Sequence, residues 1–185
     1  MLIQFTIENH RSIKNSAVVS FAASKDKSLE EYLLHPDTKK ALLPAIAIYG
    51  ANAAGKSNVL HAMMTMREMV TGDAAKVSKG QKLPWEPFGG NTEPTSFEIV
   101  FIYQGVRYAY GFSFDEKKIY SEYLYHWPNG REALIFSREN GVYEFRENVN
   151  EQITLSNRTP DNKLYLVSSN DWNLSLIHIS EPTRP

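Results

Sequence analysis

The sequence contains no cysteine, which excludes disulfide bonds and any zinc site with cysteine ligands. Its N-terminus lacks a basic start followed by a continuous apolar stretch, so it does not have the pattern of a signal peptide. No run approaches the roughly 18 apolar residues that a membrane span requires. Lysine plus arginine number 20 and aspartate plus glutamate number 21, so the bulk charge favours neither nucleic acid nor a membrane as a partner. These absences predict a soluble, cytoplasmic protein without a membrane partner.

Hydrophobic residues make up 42% of the 185-residue chain and charged residues 22%, which is ordinary for a globular protein with one core. Apolar and polar residues alternate over residues 2–7, which predicts a half-buried strand. Residues 17–22 are apolar again and are expected to pair back as a hairpin. Residues 25–40 are charged and contain His35-Pro36-Asp37, which predicts a loop with a short helix.

The second half of the chain has β patterning. Residues 97–103 and 106–114 alternate, and Gln104-Gly105 marks the turn between them. Further strands are predicted at residues 119–127, 133–137 and 142–146, separated by the hairpin signals Asn129-Gly130 and Asn140-Gly141. Glycines and prolines recur over residues 71–95 and predict a long loop. We therefore expect an antiparallel meander in this half.

Residues 44–49, PAIAIY, are apolar without alternation. A short run of this kind is typical of a strand buried on both faces, as in a parallel sheet. A helix is predicted from about residue 55 to residue 70, packed through one face. The residues of that face are Val59, Met63, Met66 and Val70. The order of strand, glycine turn and amphipathic helix predicts an α/β fold.

Residues 50–58 read GANAAGKSN and match the P-loop pattern G-x-x-x-x-G-K-[ST]. The two glycines permit a loop that wraps a phosphate, and the N–H groups between them are anion donors. The helix adds its positive dipole end, the lysine a cation for the β- and γ-phosphates, and the serine a hydroxyl for Mg²⁺. A glycine-rich turn that only caps a helix, the alternative, does not explain the lysine and serine. The predicted nucleotide-binding residues are Gly50, Ala51, Asn52, Ala53, Ala54, Gly55, Lys56, Ser57 and Asn58, with Ser57 as the Mg²⁺ ligand.

The segments FTIENHRSI, AIYGANAAGKSN, YAYGFSF and IYSEYLY resemble the N-terminal part of bacterial ABC-type, SMC-like AAA ATPases, including RecF-like and OLD-like proteins of phage-defence loci. The resemblance runs over about residues 2–166. It implies the N-terminal lobe of an ABC-type P-loop head that binds ATP and Mg²⁺. It also implies a head-to-head homodimer in the full-length parent, and hydrolysis coupled to action on nucleic acid or a nuclease subunit, in phage defence or DNA repair.

The resemblance extends to the turn after the first strand, where family members carry asparagine, an aromatic residue, arginine and serine. His10 stands in the aromatic place, which is a departure from this pattern. In related heads the turn lies near the nucleotide, so Arg11 and Ser12 are candidate second contributors, although a solvated turn is the alternative. Asn52 matches an asparagine that lies near the γ-phosphate side in such ATPases.

An ABC-type head also needs a glycine-containing signature segment and a buried strand that ends in Asp-Glu. Leu155-Ser156-Asn157-Arg158 begins like a signature but lacks the glycines. Asp115-Glu116 follows a strand that alternates, whereas a catalytic strand beside the P-loop strand should be continuously apolar. We expect Asp115 and Glu116 to be solvated acids at a hairpin end. The alternatives are a complete small P-loop NTPase that uses them, with strand 106–114 beside residues 46–49, and a nucleotide-sensing module without turnover.

Residues 175–185, SLIHISEPTRP, resemble the translated read-through of a sequencing adapter. We expect residues 1–174 to be the native, incomplete portion of an ATPase domain whose gene continues downstream. The missing parts predict that this chain alone does not turn over ATP.

Overall fold

The computed structural model describes residues 1–26, 28–36, 41–71, 76–146 and 149–171. The predicted adapter-derived tail, residues 175–185, lies outside these residues. The described part forms one seven-stranded antiparallel sheet in the order β2-β1-β3-β4-β5-β6-β7, with helices packed on one face. The strands are β1 (Leu2–Glu8), β2 (Ala17–Ser20), β3 (Thr95–Tyr103), β4 (Val106–Phe114), β5 (Ile119–Trp127), β6 (Ala133–Glu139) and β7 (Val142–Phe145). The helices are α1 (Lys56–Thr71), α2 (Val149–Ser156) and α3 (Tyr165–Asp171).

The predicted meander is confirmed, and its turns follow from residue chemistry. Gln104, Gly105, Asn140 and Gly141 all have positive φ, between 46° and 83°. Two successive positive-φ residues give the tight turn whose twist matches that of antiparallel strands. Each turn leads directly into its partner strand, so β3 pairs with β4 and β6 with β7.

The N-terminal hairpin of β1 and β2 is also confirmed, and it belongs to the same sheet as the meander. β1 pairs with β3 in a register that sets Phe5 opposite Ile99 and Ile7 opposite Phe97. These inward side chains continue across β4 and β5 and form the core with α1, α2 and α3. The predicted short helix in the loop after β2 is a single 3-10 turn, Glu30–Tyr32.

The prediction that residues 44–49 form a central buried strand is wrong. This segment is irregular and largely exposed: Ile48 is 42% exposed and Tyr49 is 90% exposed. A strand buried on both faces needs a hydrogen-bonded neighbour on each side, but every described strand pairs within the antiparallel sheet, whose edges are β2 and β7. The apolar run therefore has no partner strand in the described part of the chain.

The predicted helix is confirmed as α1, but its buried face is turned slightly from the predicted one. Ala62, Met66 and Met69 are at most 5% exposed and face the sheet. Of the predicted contacts Met66 is buried, while Val59, Met63 and Val70 are partly buried and pack against the core. No helix of the described residues has the length and apolar character to cross a membrane.

Candidate nucleotide-binding site

Residues 50–57, here called loop 50–57, follow the exposed segment 44–49 and include the first two residues of α1. Gly55 has a φ of 86°, in the region that glycine adopts without strain. A Cβ atom on Gly55 would also lie 2.7 Å from Ser12 Oγ, which is too close for a non-bonded contact. Glycine is thus required here both for the backbone conformation and for the close approach of the N-terminal turn. At Gly50, by contrast, an added Cβ would meet only ordinary contacts.

Lys56 is the first residue of α1, and its side chain folds back over loop 50–57. Its Nζ donates hydrogen bonds to the carbonyl oxygens of Gly50 and Ala51, at 2.9 and 2.6 Å. The first N–H groups of a helix have no acceptor inside the helix, so the donors at this end of α1 complement an anion. Loop 50–57 therefore brings the Lys56 ammonium group close to the N-terminus of α1.

Ser57 is the next residue of α1 and is exposed. Its hydroxyl fits the predicted role as a Mg²⁺ ligand, because Mg²⁺ in such sites takes one or two protein oxygens and completes its shell with phosphate and water. The described residues contain no cluster of three or more histidine, aspartate or glutamate side chains that could hold a metal by themselves. Any Mg²⁺ at Ser57 would accordingly depend on the phosphates of a nucleotide.

The turn formed by residues 9–13, here called turn 9–13, packs against loop 50–57. The backbone N–H groups of His10 and Ile13 each bond to the other residue's carbonyl oxygen at 2.8 Å, which leaves Arg11 and Ser12 at the tip. Asn58 Nδ2 donates to Ser12 Oγ at 2.7 Å. The structure therefore brings the predicted second contributors to the glycine loop, with Ser12 in direct contact.

Turn 9–13 is anchored on the segment that precedes β3. The side chain of Asn9 donates to the carbonyl oxygen of Glu93 at 2.6 Å and accepts the N–H of Phe88 at 3.2 Å. Arg11 donates its backbone N–H to the carbonyl oxygen of Glu86 at 2.8 Å and its Nε to Glu86 Oε2 at 2.5 Å. These bonds hold a turn in which Asn9 and Arg11 both have a φ of 52°.

His10 points into the core from the same turn and is completely buried. Its ring packs edge-on against Phe97 at 5.4 Å, and neither ring nitrogen has a hydrogen-bond partner among the described residues. Burial lowers its pKa below the ordinary value of 6.5, and the positive charge of Arg11 lowers the pKa further. The imidazole is therefore neutral at neutral pH.

Asp115 and Glu116 occupy a separate turn, between β4 and β5. Asp115 Oδ1 accepts the N–H groups of Lys117 and Lys118, and Oδ2 accepts the hydroxyl of Tyr120. Burial would raise the pKa of Asp115, but the two backbone N–H groups and the hydroxyl hold it below the usual value. Asp115 is therefore ionised and held within its own turn.

Glu116 binds Lys82 at 2.9 Å, and its carbonyl oxygen accepts the N–H of Leu83. These contacts lie outside loop 50–57. The alternative that set strand 106–114 beside residues 46–49 is wrong, because β4 lies between β3 and β5 and residues 46–49 are not a strand. Asp115 and Glu116 are acids at a hairpin end, as the sequence predicts.

Residues 155–158, which lack the glycines of a signature segment, do not have the structure of one either. Leu155 and Ser156 end α2, and Leu155 is buried. The Ser156 hydroxyl donates to the carbonyl oxygen of Ile153 within the same helix. A signature segment must present free N–H groups at the start of a helix, whereas this one ends a helix.

Two features of the site are missing from the prediction. Glu86 is separated from Arg11 by 75 positions and lies in an irregular segment, so no local pattern indicates the contact. The sequence sets His10 in the aromatic place of the family pattern, but its neighbours asparagine and arginine give no local sign that its ring is buried. In both cases the information lies in the packing of distant segments.

Comparison with known families agrees with this geometry. The family model described as "AAA domain, putative AbiEii toxin, Type IV TA system" matches residues 45–152, more than half of the chain. The matched region begins just before loop 50–57 and ends within α2. The chain therefore belongs to this AAA domain family, and nucleotide binding by a P-loop ATPase is the general activity that the family implies. No curated protein matches the chain.

Proposed function

We propose that this chain binds ATP and Mg²⁺ through residues 50–58, as the Walker A element of an ABC-type ATPase. The observation that carries this proposal is the convergence on one loop of Lys56 Nζ, the N-terminus of α1 and the close-packed tip of turn 9–13. In this arrangement Lys56 exchanges the carbonyl oxygens of Gly50 and Ala51 for β- and γ-phosphate oxygens. Ser57 then supplies the hydroxyl that holds Mg²⁺.

We also propose what kind of parent protein this chain belongs to and what it acts on. The sequence resemblance supports an SMC-like parent related to RecF-like and OLD-like proteins, whose heads pair around ATP and act with nucleic acid or a nuclease subunit in the cytoplasm. The same resemblance supports a role in phage defence or DNA repair, and the family description names a toxin of a Type IV TA system. The engagement of Asp115 and Glu116 in their own turn favours nucleotide binding without turnover by this chain alone.

The test is to measure ATP affinity by calorimetry, with Mg²⁺ at fixed ionic strength, for the wild-type chain and Lys56→Ala. A hydrogen bond to a charged group contributes about 1.5–3 kcal/mol, so affinity should fall roughly 10- to 150-fold. Lys82→Ala is the matched control, because Lys82 is an exposed lysine paired with Glu116 away from the loop. Unchanged affinity in Lys56→Ala would remove Lys56 from the site.

A further inference from the structure

Arg11 stands next to Ser12, whose Oγ touches loop 50–57. Ser12 Oγ accepts a hydrogen bond from Asn58 at 2.7 Å and packs against Gly55, where it leaves no room for a Cβ atom. The tip of turn 9–13 is thus locked onto the phosphate-facing end of α1. Because Arg11 is the neighbour of Ser12 at this tip, its guanidinium is a candidate cation for the same region, besides the ammonium group of Lys56.

Glu86 determines how that guanidinium is presented. It accepts both the backbone N–H of Arg11, through its carbonyl oxygen, and the side-chain Nε–H, through Oε2. The terminal nitrogens of Arg11, Nη1 and Nη2, have no hydrogen-bond partner within the described part of the chain. Arginine carries five N–H donors in a rigid fork, so a residue held through Nε keeps its terminal donors for an anion.

We propose that Glu86 is a positioning residue of the nucleotide site, which holds Arg11 through Nε so that the terminal guanidinium nitrogens donate to a phosphate oxygen of ATP. This inference rests on the proposed function of loop 50–57. A bidentate carboxylate would occupy more of the donors that a phosphate needs. The single bond through Nε instead orients the side chain and leaves the terminal nitrogens available.

The contacts around Arg11 and Glu86 support a fixed orientation of the Arg11 side chain. Asn9 anchors the turn on Glu93 and Phe88, and both Asn9 and Arg11 adopt left-handed backbone conformations that these bonds maintain. The hydrogen bond from Arg11 lowers the pKa of Glu86, which keeps the carboxylate ionised at neutral pH. Because the arginine is already ordered, less conformational entropy is lost when phosphate binds.

The test is a double-mutant cycle in ATP affinity, with Arg11→Ala, Glu86→Gln and both changes together. We expect Glu86→Gln to weaken ATP binding roughly two- to tenfold, because the amide oxygen accepts the Arg11 Nε–H without a charge and so orients the guanidinium less firmly. In the Arg11→Ala background the same change should have no effect, because Glu86 acts only through Arg11. Glu93→Gln is the matched control, since it removes one negative charge from the same segment without touching Arg11.

Two outcomes would overturn the inference: no loss of affinity in Glu86→Gln, or an equal loss with and without Arg11. Thermal unfolding of each variant checks that the fold survives. If the wild-type chain binds ATP and Lys56→Ala does not, while Glu86→Gln binds normally, only the role of Glu86 fails. If the wild-type chain binds no ATP, the function proposed for loop 50–57 fails as well.

Discussion

His10, in turn 9–13, is buried at a cost in folding free energy. Its two ring nitrogens are buried against Phe97 without a hydrogen-bond partner among the described residues. The charged groups that face it are Arg11 and His61, which lower its pKa, and Glu86, which raises it. Burial exceeds all three effects, so the folded protein disfavours protonation of this residue.

We predict that His10→Phe stabilises the protein and reduces its sensitivity to acid. An unsatisfied buried polar group costs about 1–3 kcal/mol, and phenylalanine removes that cost while keeping the ring contact. Because the folded-state pKa lies below the unfolded value, the wild-type protein loses stability as the pH falls below about 6.5. The gain from His10→Phe should therefore be larger at about pH 5.5 than at about pH 8, as measured by urea unfolding.

An equal gain at both pH values would contradict the assignment of a depressed pKa to His10.

Among the elements, α3 depends on a carboxylate supplied by the sheet. The side chain of Glu122, on β5, is fully buried and accepts the N–H groups of Tyr165 and Leu166 at 2.6 and 2.9 Å. Arg138 lies opposite Glu122 on β6 and donates to the carbonyl oxygens of Lys163 and Asp161. Burial raises the pKa of Glu122, although the two N–H groups and Arg138 oppose that effect. A seven-residue helix is thereby held to the sheet at its first turn.

We predict that Glu122→Gln loosens α3. The amide replaces one acceptor oxygen by an NH₂ group, so at least one N–H of the helix faces another donor in a buried place. The expected loss is about 1–3 kcal/mol of unfolding free energy. Hydrogen exchange should show reduced protection at the amides of Tyr165 and Leu166.

Glu139→Gln is the control for this change, because Glu139 is an exposed glutamate at the end of β6. Equal stability of Glu122→Gln and the wild-type chain would mean that the packing of Tyr165 alone holds α3.

At the scale of the whole molecule, we expect the chain to bind ATP without hydrolysing it, because the described residues of its site lack groups that hydrolysis requires. Phosphoryl transfer requires a phosphate cradle, a metal, and a group that orients the attacking water. The site proposed in loop 50–57 supplies the cradle and a hydroxyl for the metal, whereas Glu86, the carboxylate that the fold brings to this site, is engaged by Arg11. Asp115 and Glu116 are engaged by Lys117, Lys118, Tyr120 and Lys82 in another turn.

We therefore expect phosphate release by the 185-residue chain, with Mg²⁺ and ATP, to be no faster than by Lys56→Ala. The loss of water positioning and charge stabilisation costs several orders of magnitude in rate. Turnover that disappears in Glu116→Gln would contradict this prediction and restore Glu116 as a catalytic group.

Much of the fold could be predicted because it depends on neighbouring residues. Alternation identifies β1, β3 and β4, the Asn-Gly pairs identify turns, and the spacing of glycine, lysine and serine identifies loop 50–57. Each of these signals reports backbone conformation or one-sided burial over a few positions. They therefore remain readable without knowledge of the sheet order.

Features that depend on distant partners could not be predicted in this way. Residues 44–49 have the composition of a buried strand, but only the strand order shows that they lack neighbours. Glu86 meets Arg11 across 75 positions, and Glu122 meets Tyr165 across 43. Whether an acid is paired, and whether His10 is buried, depends on which segments pack together, and local patterns carry no information about that packing.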